Sequence, residues 1–275
     1  MSITYILILL LIGTGTGFSS GLLGIGGGII MVPAILWVVE SMGFASCAMK
    51  VAVATSAAVI LPTAMSGAWR HNKKNAVRWR SAVILGTCGA VGSALGAYIA
   101  NQLSCDALKT GFGILLLVIA LWMGIGKTRA LKNAGTIKEG HIKEKPIALI
   151  ALGFPVGILA GLAGIGGGAV MVPTMALALG FAMHEAIGTS TGAVMFISIG
   201  AIITWLTRAQ GITDILPLYS IGYINALIWL CLVIPSIPMA QVGAKAAHAL
   251  PANKLRYIFT GLMVYLGLRM LGVFG

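Results

Sequence analysis

Two glycine runs are the residues in this sequence best suited to binding a ligand. Residues 21–33 read GLLGIGGGIIMVP, and residues 161–173 read the nearly identical GLAGIGGGAVMVP. Glycine leaves backbone N–H groups unobstructed, and a helix that follows such a run points its positive end at the same place, which favours an anion. The candidate anion-binding residues are Gly26, Gly27, Gly28, Gly166, Gly167 and Gly168.

Roles other than anion binding fit the glycine runs less well. Glycines also permit close helix packing, but packing needs a small residue at every fourth position and not three in succession. A dinucleotide-binding fingerprint requires a preceding strand and an acidic residue about 20 positions later, and neither accompanies these runs. The phosphate-binding pattern GxxxxGK[ST] is absent from the sequence. No nucleotide cofactor is therefore expected.

Hydroxyl side chains in two repeated triplets form a second set of candidates. The triplets are ATS at residues 54–56 and GTS at residues 188–190. A hydroxyl can donate to an oxyanion without the cost of burying a cation, so we expect Thr55, Ser56, Thr189 and Ser190 to bind substrate. The alternative is that these hydroxyls bond to carbonyl groups of their own helices, as Ser and Thr often do.

A few charged or amide side chains close to apolar segments are further candidates. Lys50 and His184 occupy equivalent positions just before the two triplets, where a cation would attract an anion to either entrance. The alternative for both is a place at the membrane surface, with the charge in water. Asn225 and Gln241 are weaker polar candidates. No carboxylate lies in the core of an apolar segment, so a buried Asp or Glu proton relay is not expected.

These candidates lie in a strongly apolar chain. Of its 275 residues, 59% are hydrophobic and only 9% are charged, which is outside the range of ordinary soluble domains. The apolar runs of about 20 residues match helices that cross hydrocarbon about 30 Å thick, and they do not alternate as barrel strands do. The sequence predicts an all-α polytopic membrane protein with the lipid bilayer as its surroundings.

Charged and metal-ligating residues exclude several classes of function. The net charge of +12 comes from 18 Lys and Arg that cluster between apolar runs, mainly in residues 70–80 and 127–145, as in cytoplasmic loops. No nucleic-acid partner is therefore expected. The 4 cysteines lie singly, without CxxC or a His at ligand spacing, which predicts no metal site. Without HExxH or a nucleophile beside a positioned His, we expect no enzyme.

An internal duplication organises the chain. The glycine runs, the triplets, and the stretches LGAYIANQL and VGAKAAHAL recur in the same order. We expect a first transmembrane repeat in residues 1–126, a basic cytoplasmic linker in residues 127–146 and a second repeat in residues 147–275. Each repeat has about five helical segments, which by parity predicts that the two pseudo-symmetric copies are inverted. The number of basic residues in the loops does not separate inverted from parallel copies.

The second segment of each repeat is unusually short. Residues 29–39 and 169–179 follow the glycine runs directly and contain Pro33 and Pro173. At about 1.5 Å per residue, such segments reach only about half of the hydrocarbon thickness. We therefore expect glycine-broken short helices here, and their length leaves open whether they cross the membrane.

Together these features resemble the sulfite exporter TauE/SafE family of membrane permeases. The resemblance rests on the glycine runs, the triplets, GYIN at residues 222–225 and the LGAxxA and VGAxxA stretches, and it covers essentially the whole chain. It implies secondary transport of sulfite, sulfonates, thiosulfate or related small anions across the bacterial cytoplasmic membrane, usually outward. The alternatives are an anion channel and a permease for small organic carboxylates.

Overall fold

The first half of the chain folds into five helices. The computed structural model describes residues 3–24, 26–125, 146–208, 216–247 and 252–273, and the predicted linker lies outside them except for Pro146. The helices of this half are α1 (Ile3–Leu23), α2 (Gly28–Ser41), α3 (Ala48–Asn72), α4 (Trp79–Gln102) and α5 (Cys105–Ile125).

The second half repeats this order with one addition. Its helices are α6 (Pro146–Ala163), α7 (Gly168–Ala178), α8 (Met183–Thr207), α9 (Ala226–Ala246) and α10 (Ala252–Met270). A short antiparallel hairpin of β1 (Ser220–Ile221) and β2 (Ile224–Asn225) precedes α9. The sequence pattern does not predict these strands, because strands of only two residues leave no periodic pattern.

In the part of the chain that the structure describes, six helices are long and apolar enough to cross a membrane: α1, α3, α4, α6, α8 and α9. Helices satisfy their backbone hydrogen bonds internally, as hydrocarbon requires. By contrast, α2 has 14 residues and α7 has 11, so at about 1.5 Å per residue they are roughly 21 and 16 Å long. Neither reaches across about 30 Å of hydrocarbon. The prediction of an all-α polytopic membrane protein is confirmed.

Helices α3 and α8 form the centre of the molecule. The apolar windows of these two helices are 78% and 72% buried, whereas those of the other four long helices are 39% to 44% buried. Both central helices carry one of the repeated triplets, and Thr55, Ser56, Thr189 and Ser190 are fully buried. The most enclosed part of the fold therefore holds the hydroxyls that the sequence singled out.

The two halves are interlocked. Helix α1 packs along α9 of the second half, and α6 packs along α4 of the first. At the α1–α9 contact, a methyl group on Gly13 would lie 2.7 Å from the carbonyl oxygen of Leu232, and one on Gly17 would overlap the carbonyl of Ser236. Such backbone-to-backbone packing through small residues is common between membrane helices, where lipid supplies no hydrophobic drive for association.

The equivalent helices α3 and α8 run in opposite directions. Along the α3–α8 contact, Gly67 of α3 lies beside Thr191, and His71, one turn later in α3, lies beside Gly188, which precedes Thr191 in α8. Residue numbers therefore rise on one helix as they fall on the other. This antiparallel relation between equivalent helices is the one that inverted copies require.

Candidate functional site

Left-handed glycines end α1 and cap α2 at the first glycine run. Gly24, Gly26 and Gly27 have φ of 68°, 86° and 79°, a region that other L-residues enter only at a cost. Gly24 closes α1 through an N–H bond of 2.9 Å to the carbonyl of Ser20. Gly27 is the N-cap of α2. The chain thus leaves one helix and enters another within a few residues, and Gly24, Gly26, Gly27 and Gly28 are called the first break.

The second glycine run adopts the same backbone. Gly164, Gly166 and Gly167 have φ of 65°, 81° and 78°. Gly164 bonds to the carbonyl of Ala160 at 2.8 Å, and Gly167 caps α7 as Gly27 caps α2. Residues 164–168 are called the second break. The near-identity of the two sequences therefore reproduces a near-identical local geometry in both halves.

Both short helices begin without a side-chain cap. Among the described residues, no side chain hydrogen-bonds to the N-terminus of α2 or of α7. Gly27, Gly28, Gly167 and Gly168 are all buried. The first N–H groups of a helix have no partner within the helix and carry the positive end of its dipole. These two N-termini are therefore suited to an anionic ligand.

The two breaks meet at the centre of the molecule. A methyl group on Gly28 would overlap the carbonyl of Gly164, and one on Gly26 would lie 3.1 Å from the carbonyl of Ile165. The side chains of Ile60 and Val194 flank Gly26 and Gly166 alike. Gly26, Gly28 and Gly166 are therefore brought together, and in this conformation the two breaks are packed closely against each other.

Two of the predicted hydroxyls hold the breaks. The Ser56 hydroxyl of α3 donates to the carbonyl of Gly164 at 2.9 Å, and the Ser190 hydroxyl of α8 donates to the carbonyl of Gly24 at 3.2 Å. Each serine therefore bonds to the break of the opposite half. Neither of these hydrogen bonds is the bond to a carbonyl of the serine's own helix that the alternative interpretation expected.

The two predicted threonines act at the starts of other helices. Thr55 accepts a hydrogen bond of 3.0 Å from the N–H of Asn225, and Thr189 accepts one of 3.0 Å from the N–H of Arg78. Asn225 and Arg78 are the N-cap residues of α9 and α4. The Asn225 side chain also accepts from the N–H of Ile228 at 3.0 Å, so this residue is a helix cap.

The remaining polar candidates are Lys50, His184 and Gln241. The Lys50 ammonium, in the first turn of α3, donates to the carbonyl of Asn101 at 2.7 Å and lies 6.0 Å from the ring centre of Tyr223. Burial raises the pKa of the Tyr223 phenol, which keeps it neutral. His184 is exposed in the first turn of α8, and Gln241 is half-buried in α9.

Three polar side chains near the first break escaped the sequence prediction. Thr16 and Ser20 are buried on α1, and the carbonyl of Thr16 would lie 3.0 Å from a methyl group on Gly27. A ring nitrogen of His71, which is 1% exposed, lies 2.8 Å from the carbonyl of Gly21. The i, i+4 spacing of Thr16 and Ser20 ahead of Gly24 is a signal that could have identified this polar stripe.

No cluster of His, Cys, Asp or Glu in the described ranges could hold a metal ion. Two ion pairs join side chains near helix ends. Arg78 pairs with Glu185 at 2.9 Å, and Lys109 pairs with Glu40 at 3.0 Å, with all four side chains roughly one third exposed. Exposed pairs of this kind contribute about 0–1 kcal/mol, so they are not major determinants of the fold.

Comparison with known proteins assigns this architecture to a family. The family model for the sulfite exporter TauE/SafE matches residues 9–270, which include both breaks and both triplets. The chain belongs to the sulfite exporter TauE/SafE family. The resemblance predicted from the glycine runs and triplets is therefore confirmed, and the protein is a multi-pass membrane transporter.

Other members of the TauE/SafE family match along most of the chain. A probable membrane transporter protein of Methanocaldococcus jannaschii is 29% identical over 96% of this chain and 94% of its own length. One of Haemophilus influenzae is 28% identical over 97% of this chain and 98% of its own. One of Xylella fastidiosa is 33% identical over 66% of this chain and 68% of its own. No solved structure gives a significant match.

Proposed function

We propose that this TauE/SafE member is a secondary transporter that exports small sulfur-containing anions, namely sulfite, sulfonates or thiosulfate, bound between the two breaks. The observation that carries the proposal is the meeting of two buried helix N-termini without side-chain caps, one from each half. Helix N-termini bind anions through unpaired N–H groups and the helix dipole. The sequence contains no nucleotide-binding motif that would supply ATP-driven transport.

Backbone N–H groups suit a substrate that must be released again. A buried Lys or Arg would have to be desolvated and would hold an anion by full charge, whereas N–H groups at two helix ends offer several weaker bonds. The glycines of both breaks supply these donors in the proposal. Ser56, Ser190, Thr55 and Thr189 position the breaks and their neighbouring helices through their hydrogen bonds to Gly164, Gly24 and the two N-cap residues.

The antiparallel relation between α3 and α8 supports alternating access. Inverted repeats allow each half to adopt in turn the conformation of the other, which opens a central site to one side and then to the opposite side. The close contact of Gly28 with Gly164 and Ile165 closes the centre in the present conformation. A closed centre favours a carrier over a permanently open channel. Export is supported by the description of the family model as a sulfite exporter.

Flux measurements on purified protein in liposomes test this function. We expect saturable uptake of radiolabelled sulfite, thiosulfate or methanesulfonate, inhibited by the unlabelled competitors, and no uptake in empty liposomes. Flux that stays linear with concentration would identify a channel, and saturable flux of acetate alone would identify a carboxylate permease. Absence of flux for all four anions, in protein shown to be folded, would contradict the proposed function.

A further inference from the structure

The two breaks share one backbone geometry but differ in the side chains that face them. A methyl group on Gly27 would meet the carbonyl and Cβ of Thr16 on α1. A methyl group on Gly167 would lie 2.7 Å from Cγ1 of Val156 and 3.4 Å from Cβ of Ala160, both on α6. Thr16 and Val156 occupy equivalent positions ahead of the two glycine runs. The first break therefore faces a polar residue where the second faces an apolar one.

Ser20 extends this difference by one helical turn. It occupies the position in α1 that Ala160 occupies in α6. Ser20 is 1% exposed, and its Oγ has no hydrogen-bond partner in the part of the chain that the structure describes. It lies four residues after Thr16, on the face of α1 that is turned to Gly27. The Cβ of the equivalent Ala160 lies 3.4 Å from a methyl group on Gly167, so the unpartnered hydroxyl of Ser20 stands at the position of α1 that corresponds to this contact.

Three nearby hydroxyls of α1 bond to carbonyls of their own helix. Thr14 donates to the carbonyl of Leu11, Thr16 to that of Ile12, and Ser19 to that of Gly15 at 2.6 Å. A buried hydroxyl without a partner costs about 1–3 kcal/mol, which sets Ser20 apart from its neighbours on this helix.

A third difference lies on the central helices. His71 of α3 has a ring nitrogen 2.8 Å from the carbonyl of Gly21, the residue next to Ser20. The equivalent position of α8 holds Trp205, whose ring packs edge-on against Tyr223 at 5.4 Å between ring centres. At this position the first half therefore places an imidazole beside α1, whereas the second half carries an indole that packs on an aromatic ring.

We propose that the two breaks are functionally unequal: the anionic group of the substrate binds at the first break, where the Ser20 hydroxyl and the uncapped N–H groups of α2 donate to it. The second break, where Gly167 packs against Val156 and Ala160, closes the site from the opposite half and gives it an apolar wall. This inference rests on the proposed function and assigns a substrate-binding role to Ser20.

The test compares S20A with two matched variants in reconstituted protein, with radiolabelled sulfite as the probe. S19A removes a neighbouring hydroxyl whose bond stays within α1, and S81A removes another buried serine hydroxyl, in the first turn of α4, that has no partner among the described residues. We expect S20A to raise KM by about 10-fold, the effect of losing one hydrogen bond to a charged group, with kcat little changed. Both control variants should keep the wild-type KM.

A purely structural role for Ser20 would lower the amount of folded protein and leave KM unchanged, and that result would overturn the inference. If S20A does not fold, the nearly isosteric S20C replaces it, and a wild-type KM in S20C overturns the inference equally. Adding A160S to S20A should not restore KM, because that hydroxyl faces the second break. If the wild-type protein carries acetate and not sulfite, labelled acetate serves as the probe. If it carries neither anion, the proposed function is wrong. That result differs from a wild-type KM in S20A, which contradicts the unequal roles of the breaks.

Discussion

The hydroxyl of Ser56 donates to the carbonyl of Gly164 at 2.9 Å, so a residue of the first half holds the glycine break of the second. Ser190 does the same for Gly24 in the opposite sense. The two breaks are therefore fixed by bonds that cross between the halves. These crossed bonds join the central helices to the segments proposed to bind substrate.

Removing these crossed bonds should destabilise the protein. In S56A and S190A, a buried carbonyl of a left-handed glycine loses the side-chain hydroxyl that donates to it, which costs about 1–3 kcal/mol. We expect a lower midpoint of thermal unfolding in detergent for both variants. S41A is the control, since its exposed hydroxyl bonds to Trp37 within α2. Equal midpoints for S56A and S41A would contradict the holding role.

The left-handed glycines should tolerate no side chain at the breaks. G27A and G167A combine a backbone penalty of about 1–2 kcal/mol with contacts to Thr16 and Val156, so we expect loss of anion flux. Gly43 provides a matched control because it has φ of 92° and nothing within 4 Å of an added methyl group. G43A should carry the same backbone penalty and retain flux. Equal loss in all three variants would assign the defect to backbone strain alone.

Because α1 packs closely on α9, substitutions at two glycines of α1 should differ sharply in their effect on folding. A side chain on Gly17 would overlap the backbone of Ser236, whereas one on Gly15 meets nothing within 4 Å. We expect G17V to abolish folding and G15V to leave the unfolding midpoint within a few degrees of wild type, as measured by size-exclusion chromatography and thermal unfolding. A folded G17V would show that the two helices can separate without loss of the fold.

Thr55 should support the start of α9 and not only line the centre. T55V keeps the side-chain shape but removes the acceptor for the N–H of Asn225, leaving a buried donor unpaired at a cost of about 1–3 kcal/mol. We expect a lower unfolding midpoint in T55V, and a similar decrease in T189V, which frees the N–H of Arg78. T87V is the control, because that hydroxyl is exposed and bonds within α4. If T55V unfolds at the wild-type temperature, Thr55 does not support α9.

The sequence was sufficient for the main elements of the fold because its signals are local. Apolar runs long enough to span a membrane predict the membrane helices. The two glycine runs, one in each half, predict the breaks and the short helices α2 and α7. The duplicated order of motifs also led to the family. The hairpin of Ser220–Ile221 with Ile224–Asn225 was missed because two-residue strands leave no periodic pattern.

The roles of individual side chains could not be predicted in the same way. Ser56 and Gly164 lie more than a hundred positions apart, and no periodicity within a helix indicates that one bonds to the other. The bonds of Asn225 to Ile228 and Leu218 make it the cap of α9, a role that its place in the sequence does not indicate. The spacing of Thr16 and Ser20 could have pointed to a polar stripe on α1, but only the folded chain shows that the Ser20 hydroxyl has no partner among the described residues.

The interlocked packing also constrains how the chain is made. The glycine face of α1 is complementary to α9, which is synthesised about 200 residues later, at roughly 5–20 residues per second. During that interval the glycine face of α1 lacks the helix against which it packs in the folded protein. In the same way, α4 is made before its packing partner α6. Neither half contains the partner of its own first helix. The two halves are therefore duplicated in sequence yet inseparable in assembly, and each completes the other only after the second copy has entered the membrane.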